Sequence, residues 1–253
     1  MCTLTWFTSP DGYELFFNRD ESVLRQRAQV PSVCTSETMT YIAPTDTDAG
    51  GTWISVNERG VTVCLLNHYQ FEQIKTYKDW VSRGELVRRF AATFNLVRAE
   101  QQFAELKLDD YRAFRMFIIL PDGQNRLLVW DGHSPRVEVN VTKPKSSSSV
   151  DARHVKQLRK ELYLQQGLDK SNSSQAHIAF HRSHVPNPSK ESVCMHRPEA
   201  RTVSLSHIKV NRHTAAFAYI DGSPCEHDFG GSLSIARVNA DAVLDTVSDR
   251  ALR

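Results

Sequence analysis

MCTLTWFTSPDGYELFFNRDE, residues 1–21, holds two runs of strand-forming residues about a tight turn. Cys2 to Ser9 reads as one strand and Tyr13 to Arg19 as a second, since β-branched and aromatic side chains fill both. Pro10-Asp11-Gly12 between them supplies the turn. The chain therefore opens with a β-hairpin, and its return strand carries Asn18, Arg19, Asp20 and Glu21 back to the level of Cys2. Charged side chains collect beside a thiol.

Working outward, residues 20–50 are polar and rich in Thr, Asp, Ser and Pro, and are expected to be irregular. They end in Ala49-Gly50-Gly51 before a strand over Thr52 to Val56; Asn57-Glu58-Arg59-Gly60 turns the chain into a second strand, Val61 to Asn67. Ser82 predicts an N-cap, with Glu85 completing a capping box, for a helix to about Phe94 whose apolar Leu86, Val87, Phe90 and Phe94 recur at helical spacing. A second helix is expected near Ala99 to Leu108, then strands over Phe114–Leu120, Arg126–Trp130 and Arg136–Thr142. A basic amphipathic helix follows from about Asp151 to Gln166, with Arg153, Lys156, Arg159 and Lys160 read as its solvated face. Residues 168–190 show no clear pattern, and strands return at Ser192–His196, Arg201–Val210 and Thr214–Ile220. Strands, then helices, then strands describe a single α+β domain over residues 1–253, with helices on the outer faces of the sheets.

Composition narrows the function. With 253 residues, 40% hydrophobic and 24% charged, and a mean hydropathy of -0.42, the chain is neither disordered nor fibrous, and is long enough to enclose a pocket. Lys plus Arg number 31 against 29 Asp plus Glu, and without a basic run a nucleic-acid partner is not expected. Apolar stretches such as Met116 to Leu120 fall far short of the roughly 20 residues of a membrane span. The opening residues lack a basic leader followed by an apolar run, which predicts a cytoplasmic protein. Five scattered cysteines without a CxxC fit reduced thiols.

Cys2 stands apart by position. Met1 is removable when a small residue follows, and the new α-amine, titrating near ~7.7–8.0, would sit beside a thiol of about 8.5. One residue then supplies nucleophile and base; the plainer reading is a small residue opening a strand. A guanidinium such as Arg19 favours the thiolate, making Cys2 the most reactive of the five thiols. A carboxylate from Asp20 or Glu21 orients the amine. Asn67, ending an apolar strand, offers an amide to an oxyanion, while Asn18, Trp53 and His68 are candidate substrate contacts. Elsewhere, His177, His181 and His184 share a face if their segment is helical. Cys194-Met195-His196 and Cys225-Glu226-His227 together offer a Cys2His2 set, which would make a zinc-stabilised interaction module.

MC at 1–2, FFNRDE at 16–21, GGTWISVNERG at 50–60 and the strand ending in Asn67 resemble the NRDE family, also called the transport and Golgi organisation family. SSSSVDARHVKQLRKELY at 146–163, VCMHRPEARTVS at 193–204 and DGSPC at 221–225 extend the resemblance. The first half is also similar to the choloylglycine hydrolase and penicillin V acylase group of N-terminal-nucleophile amidases. The resemblance implies a four-layer αββα sandwich with Cys2 as nucleophile, Asn67 in the oxyanion hole, an Arg-Asp pair beside the amine, and a small acyl amide as substrate, with no metal or cofactor. Arg and Asp stand three residues apart in those amidases, whereas Arg19 and Asp20 are adjacent and would face opposite sides of a regular strand. A bulge, or use of Glu21, is then required. The wider family's Golgi and haem-trafficking associations imply an alternative, a non-catalytic carrier of haem or a hydrophobic ligand such as a lipid.

Overall fold

The computed structural model describes residues 2–69, 80–185 and 187–238. The opening hairpin is formed by β1 (Cys2–Ser9) and β2 (Gly12–Ser22), in register from Cys2 opposite Arg19 to Ser9 opposite Gly12. They are followed by β3 (Gln29–Thr35), β4 (Thr40–Thr45), β5 (Ile54–Asn57) and β6 (Thr62–Asn67), then α1 (Arg83–Phe90) and α2 (Leu96–Ala104). Next come β7 (Phe114–Ile119), β8 (Asn125–Trp130), β9 (Pro135–Val139), β10 (Lys145–Ser147), α3 (Ala152–Gln165) and α4 (Ser174–His181). The described chain closes with β11 (Ala200–Val210), β12 (Thr214–Asp221) and β13 (Ser232–Ala236).

The strands form two antiparallel sheets, a six-stranded one in the order β10-β1-β2-β11-β12-β13 and a seven-stranded one running β3 to β9. Along β1 and β2 the side-chain period of two sends Leu4, Trp6, Leu15 and Phe17 into the space between the sheets, where Trp6 meets Phe117 at 4.4 Å between ring centres. Each such buried side chain contributes about 1.5–3 kcal/mol. The alternate residues Phe7 and Phe16 pack outward toward α4. Both faces of the hairpin are covered, which is why its strands are almost continuously buried rather than alternating with polar positions. Helices α1 and α2 cover the seven-stranded sheet through Leu86, Val87, Phe90, Ala99 and Phe103, and α3 and α4 cover the six-stranded one. The layers run α-β-β-α, as the family resemblance implies.

Several local expectations need correction. Residues 20–50 contain β3 and β4, residues 168–190 contain α4, and Ser146 and Ser147 belong to β10, while Ser192–His196 is not a strand and meets β11 through a bridge from His196 to Arg201 and a Thr202 N–H that donates to the Met195 carbonyl at 2.8 Å. The Ser82 cap accepts from the Gly84 N–H at 3.3 Å rather than from Glu85, so no capping box closes. Arg159 is not solvated: it is 1% exposed, because with Val155 and Tyr163 it forms the inward stripe of α3. Gly51 has a steric reason to be glycine, since a Cβ there would stand 2.6 Å from the backbone of Gly84. That close approach sets the N-terminus of α1 against the turn before β5, where the Thr52 N–H donates to the Gly84 carbonyl at 3.1 Å.

Candidate active site

At one end of the sandwich a cleft of about 500 Å³ opens between the sheets. Cys2, Arg19, Asp20, Trp53 and Asn67 line it, with Glu21, Arg25, Asp46, Trp80, Arg83 and Arg112. Cys2 begins β1 and faces the inter-sheet space beside Arg19, its cross-strand partner. On its other side β10 pairs Ser147 opposite Cys2, so this is an interior strand.

Arg19 is held firmly. Its guanidinium reaches Asp46 at 3.2 Å and Glu21 at 3.3 Å and lies 4.2 Å from the centre of the Trp53 ring. Arg25 pairs with the same Asp46 carboxylate at 2.6 Å. Arg25 also meets Glu21 at 3.8 Å and Asp48 at 3.6 Å, so two arginines and three carboxylates form one ion-pair network along this wall. Arg83 donates to the Ala113 carbonyl at 2.9 Å, and burial lowers its pKa.

Asp20 turns the other way. Adjacent strand residues face opposite sides, so its carboxylate lies in the layer under α3 and α4, where it accepts from Thr202 Oγ1 at 2.6 Å and stands 3.6 Å from Arg159. There is a bulge here, but on the neighbouring strand, between Thr202 and Ser204 of β11. It leaves the alternation along β2 intact. Asp20 borders the cleft, and its backbone lowers the Cys2 pKa while its charge raises it. Glu21 is the motif carboxylate whose side chain shares the cleft wall with Arg19.

Asn18 and His68 lie outside the cleft lining. Asn18 Nδ2 donates to the carbonyls of His181 at 2.9 Å and Val193 at 3.1 Å, and His68 Nε2 meets the Arg115 guanidinium at 3.0 Å. Asn67 borders the cleft with its Nδ2 donating to Tyr69 Oη at 2.7 Å, so the amide that could serve an oxyanion holds a phenol oxygen.

Burial dominates the electrostatics of Cys2 and pushes its thiol up to about 11; the Asp20 charge raises it further and Arg19 lowers it. With Met1 in place the group at rest near neutral pH is therefore the thiol. The three histidines also separate. His177 Nδ1 and His181 Nε2 lie 2.9 and 2.8 Å from the Thr5 hydroxyl beneath α4, where burial lowers His177 to about 4 and depresses His181 strongly. His184 projects elsewhere, toward Cys194, His196 and Cys225, and occupies the place the sequence suggested for His227, which instead meets the Ser223 carbonyl at 3.2 Å.

Arg25, Asp46, Arg83 and Arg112 escaped the sequence reading. The first two fall in the segment taken as irregular, and only the adjacent Gly50-Gly51 marks their region as one where backbones approach closely.

The family model described as Transport and Golgi organisation 2 matches residues 1–223. No curated protein matches the sequence. Among solved structures, the N-acylethanolamine-hydrolyzing acid amidase ortholog of Caenorhabditis elegans is 10% identical with a TM-score of 0.59, over 93% of this chain and 100% of that one. A variant of the conjugated bile acid hydrolase from Clostridium perfringens is 14% identical with a TM-score of 0.52, over 93% and 92% of the two chains. Penicillin V acylase from Agrobacterium tumefaciens is 10% identical with a TM-score of 0.51, over 87% and 86%. At these identities the likeness is one of fold, that of the N-terminal-nucleophile hydrolases.

Proposed function

Because the chain belongs to the transport and Golgi organisation 2 family and shares its fold with N-terminal-nucleophile amidases, we propose that it hydrolyses a non-peptide acyl amide with Cys2 as nucleophile. The observation that carries this reading is the thiol at the start of an interior strand, bordering a cleft that Arg19 and Asn67 also line.

The buried thiol needs a base. At a pKa of about 11, roughly one thiol in 10⁴ is ionised at pH 7, so a preformed thiolate contributes little. Once Met1 is removed, the neutral α-amine of Cys2 takes the thiol proton as sulfur attacks the carbonyl carbon. Asn67 Nδ2, exchanging Tyr69 for the developing oxyanion, donates with a backbone N–H. The C–N bond breaks as the α-ammonium returns its proton to the leaving amine, and a thioester remains. Water, deprotonated by the α-amine, then releases the acid and restores the thiol. Glu21 is better placed than Asp20 to orient the amine, since the Asp20 carboxylate lies on the far face of the sheet. Arg83 and Arg112, with the N-terminus of α1, give the opposite wall a positive field that favours an acyl amide bearing an anionic group.

A hydrophobic carrier fits the cleft less well. Seven of its seventeen described lining residues are charged, and no histidine is among them to join Cys2 on haem iron. The test takes intact mass of the purified chain, an acyl-amide panel that includes anionic members, and haem titration followed at the Soret band. Loss of Met1 and turnover are expected, with hydrolysis abolished in Cys2→Ser and lowered about 10²–10³-fold in Asn67→Ala. Saturable haem binding without hydrolysis would overturn the amidase in favour of the carrier.

A further inference from the structure

Away from the cleft, four side chains from three separate stretches converge. We propose that His184, Cys194, His196 and Cys225 form a structural zinc site. Their ligand atoms all lie within 4.8 Å of one another. His196 Nε2 is 3.6 Å from Cys194 Sγ and 3.3 Å from Cys225 Sγ, and the His184 ring meets that of His196 edge-on at 4.9 Å. Zn–S bonds of about 2.3 Å and Zn–N bonds of about 2.0–2.1 Å place neighbouring ligands of a tetrahedron about 3.3–3.8 Å apart. Both sulfur–nitrogen distances already fall in that interval, before any metal draws the set together.

A second observation points to a ligand. His184 Nε2 is buried without a hydrogen-bond partner among the described residues, a costly state for an imidazole nitrogen that a metal would relieve. Two thiols and two imidazoles are the donor set that selects tetrahedral zinc over the oxygen-seeking Mg²⁺ and Ca²⁺. Four protein ligands leave no open position, so the site is structural rather than catalytic.

The architecture gives such a metal a task. The connection from α4 to β11 holds no helix or strand among its described residues, yet much of the six-stranded sheet's outer layer hangs on it. Its Glu191 and Ser192 carbonyls accept from Arg159 at 3.2 and 2.7 Å, and its Val193 carbonyl accepts from Asn18. Its Met195 N–H donates to Thr202 Oγ1 at 2.8 Å, the hydroxyl that in turn donates to Asp20. Zinc would tie this connection, through His184, Cys194 and His196, to the turn after β12 that carries Cys225.

The test uses the full chain, made without a histidine tag or chelator, loaded with Zn²⁺ and freed of excess by gel filtration. One zinc per chain by elemental analysis is expected, with release on thiol modification. Cobalt exchange is expected to give the ligand-field bands of a tetrahedral ion with thiolate charge transfer. Cys225→Ser and His184→Ala are each expected to weaken zinc in a chelator competition by more than about a hundredfold, whereas His227→Ala, next to the set but outside it, retains the metal. The wild-type and cobalt measurements stand even if a variant fails to fold. Less than about half a zinc per loaded chain, an octahedral cobalt spectrum, or a Cys194–Cys225 disulfide in protein purified under reducing conditions would overturn the site. Because none of these readouts is hydrolysis, they stand or fall apart from the amidase proposal.

Discussion

Replacing Arg159 by Met tests whether Asp20 is a structural partner rather than a member of the catalytic apparatus. The guanidinium is 1% exposed and donates to Thr3 Oγ1 at 2.6 Å, to the Ser192 carbonyl at 2.7 Å and to the Glu191 carbonyl at 3.2 Å, with the Asp20 carboxylate at 3.6 Å. Methionine fills much of the volume, so the loss is chiefly the stranding of these acceptors and of a buried carboxylate, about 3–5 kcal/mol. Asp20→Asn strands the guanidinium instead but leaves an oxygen for Thr202, and is expected to cost about 1–3 kcal/mol. At 3.6 Å and an effective dielectric constant of about 20 the ion-pair attraction is at most ~5 kcal/mol, of which desolvation leaves a coupling of about 1–3 kcal/mol. The double variant should therefore be more stable than the sum of the single losses predicts, by that amount. Urea unfolding of the four proteins, with equal m-values as the check on a common denatured state, measures it. Additivity within about 0.5 kcal/mol would refute the pairing and return Asp20 to the list of residues whose charge is aimed elsewhere.

Acid should destabilise the fold well above the carboxylate range. His177, lowered from 6.5 to about 4, binds fewer protons folded than unfolded between those values, so stability is full above about 6.5 and falls as pH drops through that window, by about 3 kcal/mol at about 1.4 kcal/mol per pH unit. A urea midpoint unchanged from pH 7 to pH 4.5 would contradict it. Glu14 behaves differently: burial raises its pKa, but the hydrogen bonds from His207, Ser174 and Lys209 outweigh it and hold it near about 2, so its contribution is lost only below about 4.5. With Met1 retained, iodoacetamide should label Cys2 more slowly than Cys34 at pH 7, with a rate rising about tenfold per pH unit toward about 11. Removal of Met1 should speed it. Peptide mass spectrometry after brief labelling reads the order, and Cys2 reacting first in the Met1 form would show that burial does not control it.

What the sequence disclosed follows the strength of its apolar patterning. The hairpin and the strands of the seven-stranded sheet's centre were legible because Leu, Phe, Ile and Val mark them. β3 was not, since Gln29–Thr35 is an edge strand held by backbone pairing with few buried side chains. β10 was missed for the opposite reason: Ser146 and Ser147 are buried yet polar. Arg159 did carry a signal, since it lies four residues from both Val155 and Tyr163 on α3, but its charge argued against the phase. His184 was legible only with His177 and His181; nothing in the sequence placed it beside Cys194, ten positions on, because only the path of the connection brings them together. Cys2, Arg19, Trp53 and Asn67 were legible as cleft-lining candidates from the order of the strands; Asn18 and His68 fall outside that lining, held by His181 and Val193 and by Arg115.

The run Asn18-Arg19-Asp20-Glu21 is best understood through the two faces of β2. Arg19 faces the inter-sheet cleft beside Cys2 and, with Glu21, Arg25 and Asp46, builds its charged wall. Asn18 and Asp20 face the outer layer, where Asn18 binds the carbonyls of His181 and Val193, and Asp20 meets Thr202 and Arg159. A polar pair buried on that side would be costly unless its partners were fixed; Val193 belongs to the irregular connection that the proposed zinc ties down, and that connection also hydrogen-bonds Arg159 and Thr202. The same four residues therefore carry two demands at once. A substitution at Arg19 or Glu21 acts on the cleft, whereas one at Asn18 or Asp20 loosens the outer layer first and reaches Cys2 through the backbone of β2 and, for Asp20, through the charge that raises the thiol pKa.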